Sequence, residues 1–252
     1  MIKEDIRYES GCVFEGITSI SAVINSQHSD RTIIRVTVDA QRAEKLGKKL
    51  AWLRHRADEL GFPLVNADAA TLDAMTVGSS HGGLVAECTD RTIPKLCADD
   101  LPDNGFFAYI EGIEDPYNFG YALRSLYAAG VDGVILPERG WMSAAGVVCR
   151  SSAGASELMR LYTAPDGMCD TFHEKGYRVL CADTHNAVSV YDTDCKKPLL
   201  LVIGGEKRGI TKQMLDSADA IVKIDYGREF KAALSAASAS AVLALEIMRQ
   251  NR

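Results

Sequence analysis

No stretch of the chain carries the roughly 18 consecutive apolar residues of a membrane helix, so no helical span is expected. The amino terminus, Met1-Ile2-Lys3-Glu4-Asp5, holds acidic residues and no apolar core segment, so no secretory signal is expected either. There is no C-x-x-C pair, and His28, His55, His81, His173 and His185 show no close ligand spacing. A structural zinc site is therefore not expected, and no metal is assigned. The cysteines (Cys12, Cys88, Cys97, Cys149, Cys169, Cys181, Cys195) are odd in number and scattered. They fit buried, reduced thiols of a cytoplasmic protein better than a disulfide framework. Neither G-x-x-x-x-G-K-[ST] nor G-x-G-x-x-G occurs, which argues against a phosphate-cradling or dinucleotide loop. A positive balance is missing as well. The formal charge of −6 counts against a protein that coats nucleic acid through phosphate contacts alone.

What is present describes a globular α/β chain. Its 252 residues suffice for one large domain or two ordinary ones, and 47% hydrophobic against 25% charged residues is the balance of a water-soluble fold. A stretch poor in apolar residues, Thr89 to Gly105, carries Pro94, Pro102, Asp90, Asp99, Asp100, Asp103 and Asn104, which favour turns and exposed connections. It divides the chain into a small α/β domain over 1–90, a linker over 91–105 and a larger domain over 106–252. In the first half, Ile33 to Val38 reads as a strand. Residues 41–60 place Ala43, Leu46, Leu50, Leu53, Ala57 and Leu60 at three- and four-residue steps, an amphipathic helix. A strand near Pro63 to Val65, a helix near Ala69 to Met75, a turn at Ser79-Ser80-His81-Gly82 and a strand from Gly83 to Cys88 follow. Around the first of these helices Arg42, Lys45, Lys48, Lys49, Arg54 and Arg56 face only Glu44: a solvated face or an RNA-binding one.

The second half alternates more clearly. Strands are expected at Phe106 to Ile110, Gly133 to Leu136, Tyr177 to Ala182, Leu199 to Ile203 and Ala220 to Ile224. Helices are expected at Asn118 to Ala129, Ser143 to Ser152 and Ala232 to Arg249. Continuous apolar strands alternating with helices imply a parallel sheet covered on both faces. Ligands in such sheets sit beyond the strands' carboxyl ends, which directs attention to the loops after Ile110, Ala182, Ile203 and Ile224. In the first loop Pro116 and Gly120 bend the chain. Asn118 is either a helix N-cap or a site residue, and Arg124 either a surface arginine or a phosphate fork. Gly204-Gly205 is either a plain turn or a close backbone approach to a ligand. From Lys231 to Glu246 the chain is nearly all Ala, Ser and Leu, which suits tight helix packing, within the chain or across a dimer, as well as simple helix propensity.

Taken together, three segments resemble the three motifs of the SpoU/TrmH family of the SPOUT superfamily: IEGIEDPYNFGYALRSLYAAGVDGVIL (110–136), LLLVIGGEKRGI (199–210) and IVKIDYGREFKAALSAASASAVLALEIMRQ (221–250). The first half resembles the small substrate-binding domain often attached in that family, with SSHGGLVAE (79–87) where that domain usually ends. The resemblance implies a carboxyl-terminal parallel-sheet domain with a deep trefoil knot and a homodimer. It implies methyl transfer from S-adenosylmethionine to a ribose 2′-hydroxyl, in ribosomal RNA before transfer RNA. The catalytic candidates it carries over are Asn118, Arg124 and Glu206. The cofactor-binding candidates are Thr184, Gly204, Gly205, Ile224, Leu234 and Ser235, and the RNA-binding ones Lys48, Arg54 and Arg124.

Motif three departs from the family pattern. Ile-Pro-Met becomes Ile224-Asp225-Tyr226, Ser-Leu-Asn becomes Ala233-Leu234-Ser235, and the loop is one residue longer. The family proline, serine and asparagine side chains are therefore missing. Two competing readings follow. One is an RNA-binding homologue with impaired catalysis, which Ala233 and Ser235 favour and Asn118, Arg124 and Glu206 oppose. The other is an unrelated nucleotide-dependent α/β enzyme, against which the missing phosphate-binding fingerprint argues.

Overall fold

A computed structural model describes residues 12–76, 80–138, 144–205, 207–230 and 232–252. The amino-terminal pentapeptide, Ser79 of the expected turn, Ser143 of the expected helix, Lys231 and the catalytic candidate Glu206 lie outside the described residues.

The first half builds a four-stranded sheet from β1 (Cys12–Glu15), β2 (Ile33–Asp39), β3 (Leu64–Ala67) and β4 (Leu84–Cys88), in the order β1-β4-β2-β3. β4 runs antiparallel to both of its neighbours, and β2 and β3 are parallel. Its helices are α1 (Gly16–Asn25), α2 (Ala43–Leu60) and α3 (Ala69–Met75). The periodic pattern of α2 buries Leu50, Leu53 and Ala57, and Gly61, in the left-handed region at φ 76°, ends the helix. The helix is not continuous, however. Gly47 departs from helical geometry (φ 40°, ψ −115°), so the basic face is bent between Lys45 and Lys48. β1 and α1 were not expected. Gly-Ile-Thr-Ser-Ile-Ser-Ala-Val-Ile-Asn is rich in β-branched residues, poor intrinsic helix formers. Burial of Ser19, Ile20, Ala22 and Val23 sustains the helix instead.

The second half forms a parallel sheet in the order β7-β6-β5-β10-β8-β11-β9. Its strands are β5 (Phe106–Glu111), β6 (Gly133–Leu136), β7 (Leu161–Thr163), β8 (Arg178–Ala182), β9 (Val188–Ser189), β10 (Leu199–Gly204) and β11 (Ala220–Lys223). All described pairings in it are parallel. The central β10 is buried from Leu199 to Ile203, as its unbroken apolar run requires. On one face α4 (Pro116–Ala128) and α9 (Ala236–Gln250) pack on each other over Ile110, Leu123, Leu126, Leu201 and Leu243. The opposite face carries α7 (Met168–Glu174) and α8 (Lys212–Asp216). Here Phe107, Phe172 and Tyr177 meet edge to face, with centroids 5.1–6.1 Å apart.

Two short helices, α5 (Ala145–Ser151) and α6 (Ala155–Leu158), join the halves. α5 lies against β1 and α6 against α1, and Cys149 of α5 belongs to the core of the first half. The stretch read as an exposed connection is in fact partly internal. Leu96 and Leu101 are buried, and the Arg91 guanidinium donates to the carbonyls of Ser156, His28 and Met159 at 2.6–2.9 Å. The turn-forming residues themselves are exposed as expected, Asp90, Pro94, Asp99, Pro102, Asp103 and Asn104 among them; the buried positions are the ones between them. The last helix also starts later than expected, at Ala236, because residues 232–235 are held in a non-helical turn. Among the described residues no cysteine is in a disulfide, and Cys97 alone among them is exposed.

Candidate active site

The carboxyl ends of β8, β10 and β11 open on a cleft of about 260 Å³. Ala182, Asp183 and Thr184 follow β8; Ile203, Gly204, Gly205 and Gly209 come from β10 and its loop; Val222, Lys223 and Ile224 come from β11. The far wall is Tyr226, Ala233, Leu234, Ala236, Ala239 and Leu243. Of the cofactor-binding candidates, Thr184, Gly204, Gly205, Ile224 and Leu234 therefore meet in one place. Ser235 is not among the lining residues. Its hydroxyl accepts from the Ser238 backbone N–H at 3.2 Å and caps α9. The loss of the family's polar side chain at that position is thus turned to helix capping.

The glycines on the rim are there for backbone contact. A Cβ on Gly204 would lie 2.5 Å from the Gly209 carbonyl carbon, and one on Gly205 2.1 Å from the Gly112 oxygen. Gly209 N–H donates to Gly205 at 3.0 Å, closing the turn. The loop after β5 is tied to the same turn. Glu111 Oε2 accepts from Thr211 N–H at 3.0 Å, and Lys207 Nζ pairs with Glu114 at 2.6 Å. The paired glycines thus let two loops of the chain touch, and the cleft wall is main chain. Of the four loops singled out by sheet topology, the one after Ile110 braces the cleft from behind without lining it.

At the β8 lip, Asp183 Oδ1 accepts from Thr184 N–H at 2.6 Å and His185 N–H at 2.9 Å. Partial burial alone would raise the Asp183 pKa; hydrogen bonds from the His185 backbone and ring and from Thr184 outweigh it and lower the pKa. The lip therefore keeps a negative charge at neutral pH. On the far wall, Leu234 N–H donates to Tyr226 Oη at 3.1 Å, tying two lining residues together. Sequence reasoning saw Tyr226 only as a departure from pattern. The signal it missed was a phenol eight residues before a main-chain donor in a glycine-containing turn.

Among the catalytic candidates, Arg124 is exposed on α4, with no ion-pair or hydrogen-bond partner among the described residues. Asn118 is half-buried in the first turn of that helix. It is not the N-cap: Asp115 is, accepting from Asn118 N–H at 3.0 Å, with Pro116 at the first helical position. Lys48 and Arg54 are exposed on α2, and no ion pair holds either among the described residues, whereas Arg42 and Arg56 pair with Asp39 and Glu59.

A parallel sheet whose strand ends enclose an apolar cleft walled by main chain is the layout of a nucleoside-binding α/β enzyme. The chain belongs to the SpoU rRNA methylase family, whose family model matches residues 105–245. This family comprises S-adenosylmethionine-dependent RNA ribose 2′-O-methyltransferases. The chain is 26% identical, over an alignment of 261 residues covering 100% of both proteins, to the 23S rRNA (guanosine-2′-O-)-methyltransferase RlmB of Shewanella oneidensis. It is 27% identical over 228 residues, 88% of this chain and 72% of the other, to an uncharacterized tRNA/rRNA methyltransferase of Mycobacterium ulcerans. Its fold matches the crystal structure of an RNA 2′-O ribose methyltransferase with a TM-score of 0.78 at 20% identity, covering 96% of this chain and 89% of that one. It also matches the SpoU methyltransferase AviRb of Streptomyces viridochromogenes, solved with AdoMet, with a TM-score of 0.74 at 20% identity, covering 96% and 90%.

Proposed function

We propose that this protein transfers a methyl group from S-adenosylmethionine to a ribose 2′-hydroxyl of ribosomal RNA. The observation that carries the reading is the meeting of the turns at Gly204, Ile224 and Leu234 on one cleft. The cleft suits the donor chemically. Ile203, Ile224, Leu234 and Leu243 offer apolar walls to a purine, and the ionised Asp183 at the lip favours a cationic ligand. Bound there, the sulfonium would supply the leaving group, so the chain's own task is to position the acceptor and manage its proton.

Arg124 stays protonated at any physiological pH and therefore serves as an anion holder. Its guanidinium steers a phosphate of the acceptor nucleotide and stabilises charge developing on the ribose oxygen. Glu206, next to Gly205, takes the hydroxyl proton, and Asn118 orients the acceptor. Lys48 and Arg54 on the first-half helix bind RNA phosphates. Residues 1–90 then act as the substrate-binding domain, 91–105 as the connection and 106–252 as the catalytic domain. The family's trefoil knot is assigned to the carboxyl-terminal segment; the placement of β10 between β5 and β8, with α9 returning to pack on α4, supports it. A homodimer is supported by Tyr117, Tyr121 and Leu245, exposed on those two helices. The protein is assigned to the cytoplasm, and no described helix is long and apolar enough to cross a membrane.

The test is transfer of labelled methyl from S-adenosylmethionine to total RNA, followed by nucleoside analysis. Label on ribose, lost in Arg124→Ala and Glu206→Ala, is the expected outcome. Label on a base overturns the reaction. Calorimetry that detects no S-adenosylmethionine binding favours the impaired RNA-binding homologue instead.

A further inference from the structure

The turn between β11 and α9 contains a polar group that the proposed reaction does not yet use. Tyr226 lines the cleft, and its ring packs on Phe230 with centroids 6.0 Å apart. Its hydroxyl oxygen accepts the Leu234 N–H at 3.1 Å. A phenol offers one donor and acceptor capacity. Here the acceptor side is engaged, and among the described residues no group takes the Tyr226 hydroxyl proton. A hydroxyl that accepts a hydrogen bond is polarised into a stronger donor. Ala233, Leu234, Ala236, Ala239 and Leu243 beside it in the lining bring no hydrogen-bonding side chain; the other polar side chains that line the cleft are Asp183, Thr184 and Lys223.

We infer that Tyr226 is a ligand-binding residue of the cleft, donating its hydroxyl proton to an acceptor on the nucleoside half of the methyl donor while holding Leu234 in place. This assignment rests on the cleft being the S-adenosylmethionine site. It also explains how the turn can lack the family's serine and asparagine side chains: one phenol closes the turn and supplies a polar contact.

Calorimetry with S-adenosylhomocysteine separates the two layers. Measurable binding to the wild-type protein tests the site; its absence overturns the site assignment itself. With binding present, Tyr226→Phe keeps the ring and removes the hydroxyl, and affinity should fall about three- to tenfold, the range of one neutral hydrogen bond. A loosened turn could produce the same loss, so the deciding measurement is a cycle against the ligand. Deaza analogues lacking one purine nitrogen, and deoxy analogues lacking one ribose hydroxyl, are titrated against both proteins. One analogue should lose affinity for the wild type and none for Tyr226→Phe. If every analogue keeps the same wild-type to Tyr226→Phe ratio, or Tyr226→Phe binds as tightly as the wild type, the inference fails.

Discussion

Removing the Glu157 carboxylate should cost this protein more stability than almost any other single side-chain truncation. Arg31 and Glu157 form a salt bridge at 3.2 Å between the two halves, with side chains only 2% and 4% exposed. Glu157 also accepts from Ser29 Oγ at 3.1 Å, and the Arg31 guanidinium lies 4.8 Å from the Phe14 ring centre. A second guanidinium, Arg91, is buried nearby with carbonyl partners and no carboxylate hydrogen-bonded to it among the described residues. Glu157→Ala therefore strands buried positive charge, and breaking a buried pair on one side costs about 3–5 kcal/mol. That is a large share of the roughly 5–15 kcal/mol by which a domain is stable. Urea unfolding should show the loss. The double replacement Arg31→Met/Glu157→Leu should recover most of it, because it removes both charges and fills the space with apolar atoms. Glu157→Ala within about 0.5 kcal/mol of wild type, or a double variant no better than the single, would refute the reasoning.

Four other outcomes are expected. Gly205→Ala drives a methyl group against the Gly112 carbonyl and should destabilise by about 1–3 kcal/mol while weakening S-adenosylmethionine binding; an unchanged melting temperature rejects the close approach of the two loops. Burial pushes the Cys88, Cys149 and Cys181 thiols up from 9.0 to about 12. Their contribution is whole below pH 9 and is lost as pH rises toward 12, so stability should start to fall near pH 9. In native protein Cys97 should alkylate before the other described cysteines, and mass mapping that finds Cys181 modified first would contradict the burial. Charge reversal at Lys48 and Arg54 should weaken RNA binding and lower its salt slope by about two, one for each phosphate that the helix no longer neutralises. Unchanged affinity removes that helix from the interface.

How much of this was legible depends on whether a segment's structure is set locally. The run Leu199 to Ile203 can only be a buried strand, and Gly133 to Leu136 is likewise self-evident from composition. Helix α1 was not, because its β-branched sequence lacks helix propensity and its stability comes from β4, α5 and α6, elements distant in sequence. Residues 232–235 erred in the opposite direction. Ala232 to Arg249 reads as helix throughout, yet the Leu234 N–H is drawn to Tyr226 and the Ser235 hydroxyl caps the helix a residue later. The cleft candidates came from motif resemblance. The reason for the rim glycines did not, since the approach of Gly205 to Gly112 spans about ninety residues and is invisible to any local pattern.

The junction and the cleft bear on one another through shared elements. Arg31 enters from the first half and Arg91 from the connection, and their partners Ser156, Glu157 and Met159 lie in and beside α6. That short helix packs against α4, the helix that carries Asn118 and Arg124. Gly120, between those two candidates in sequence, has no room for a side chain: a Cβ there would sit 1.9 Å from Ser151 Oγ of α5. The helix bearing the catalytic candidates is thus seated directly on the elements that join it to the first half. On the proposed reading, an RNA gripped by Lys48 and Arg54 would be held at a set offset from Arg124, with the packed junction in place of a flexible tether. On that logic Glu157→Ala should degrade methyl transfer through RNA affinity at temperatures where the second half remains folded, leaving S-adenosylmethionine binding intact. A parallel loss of both would mean that the junction supports the cleft itself and does not orient the RNA.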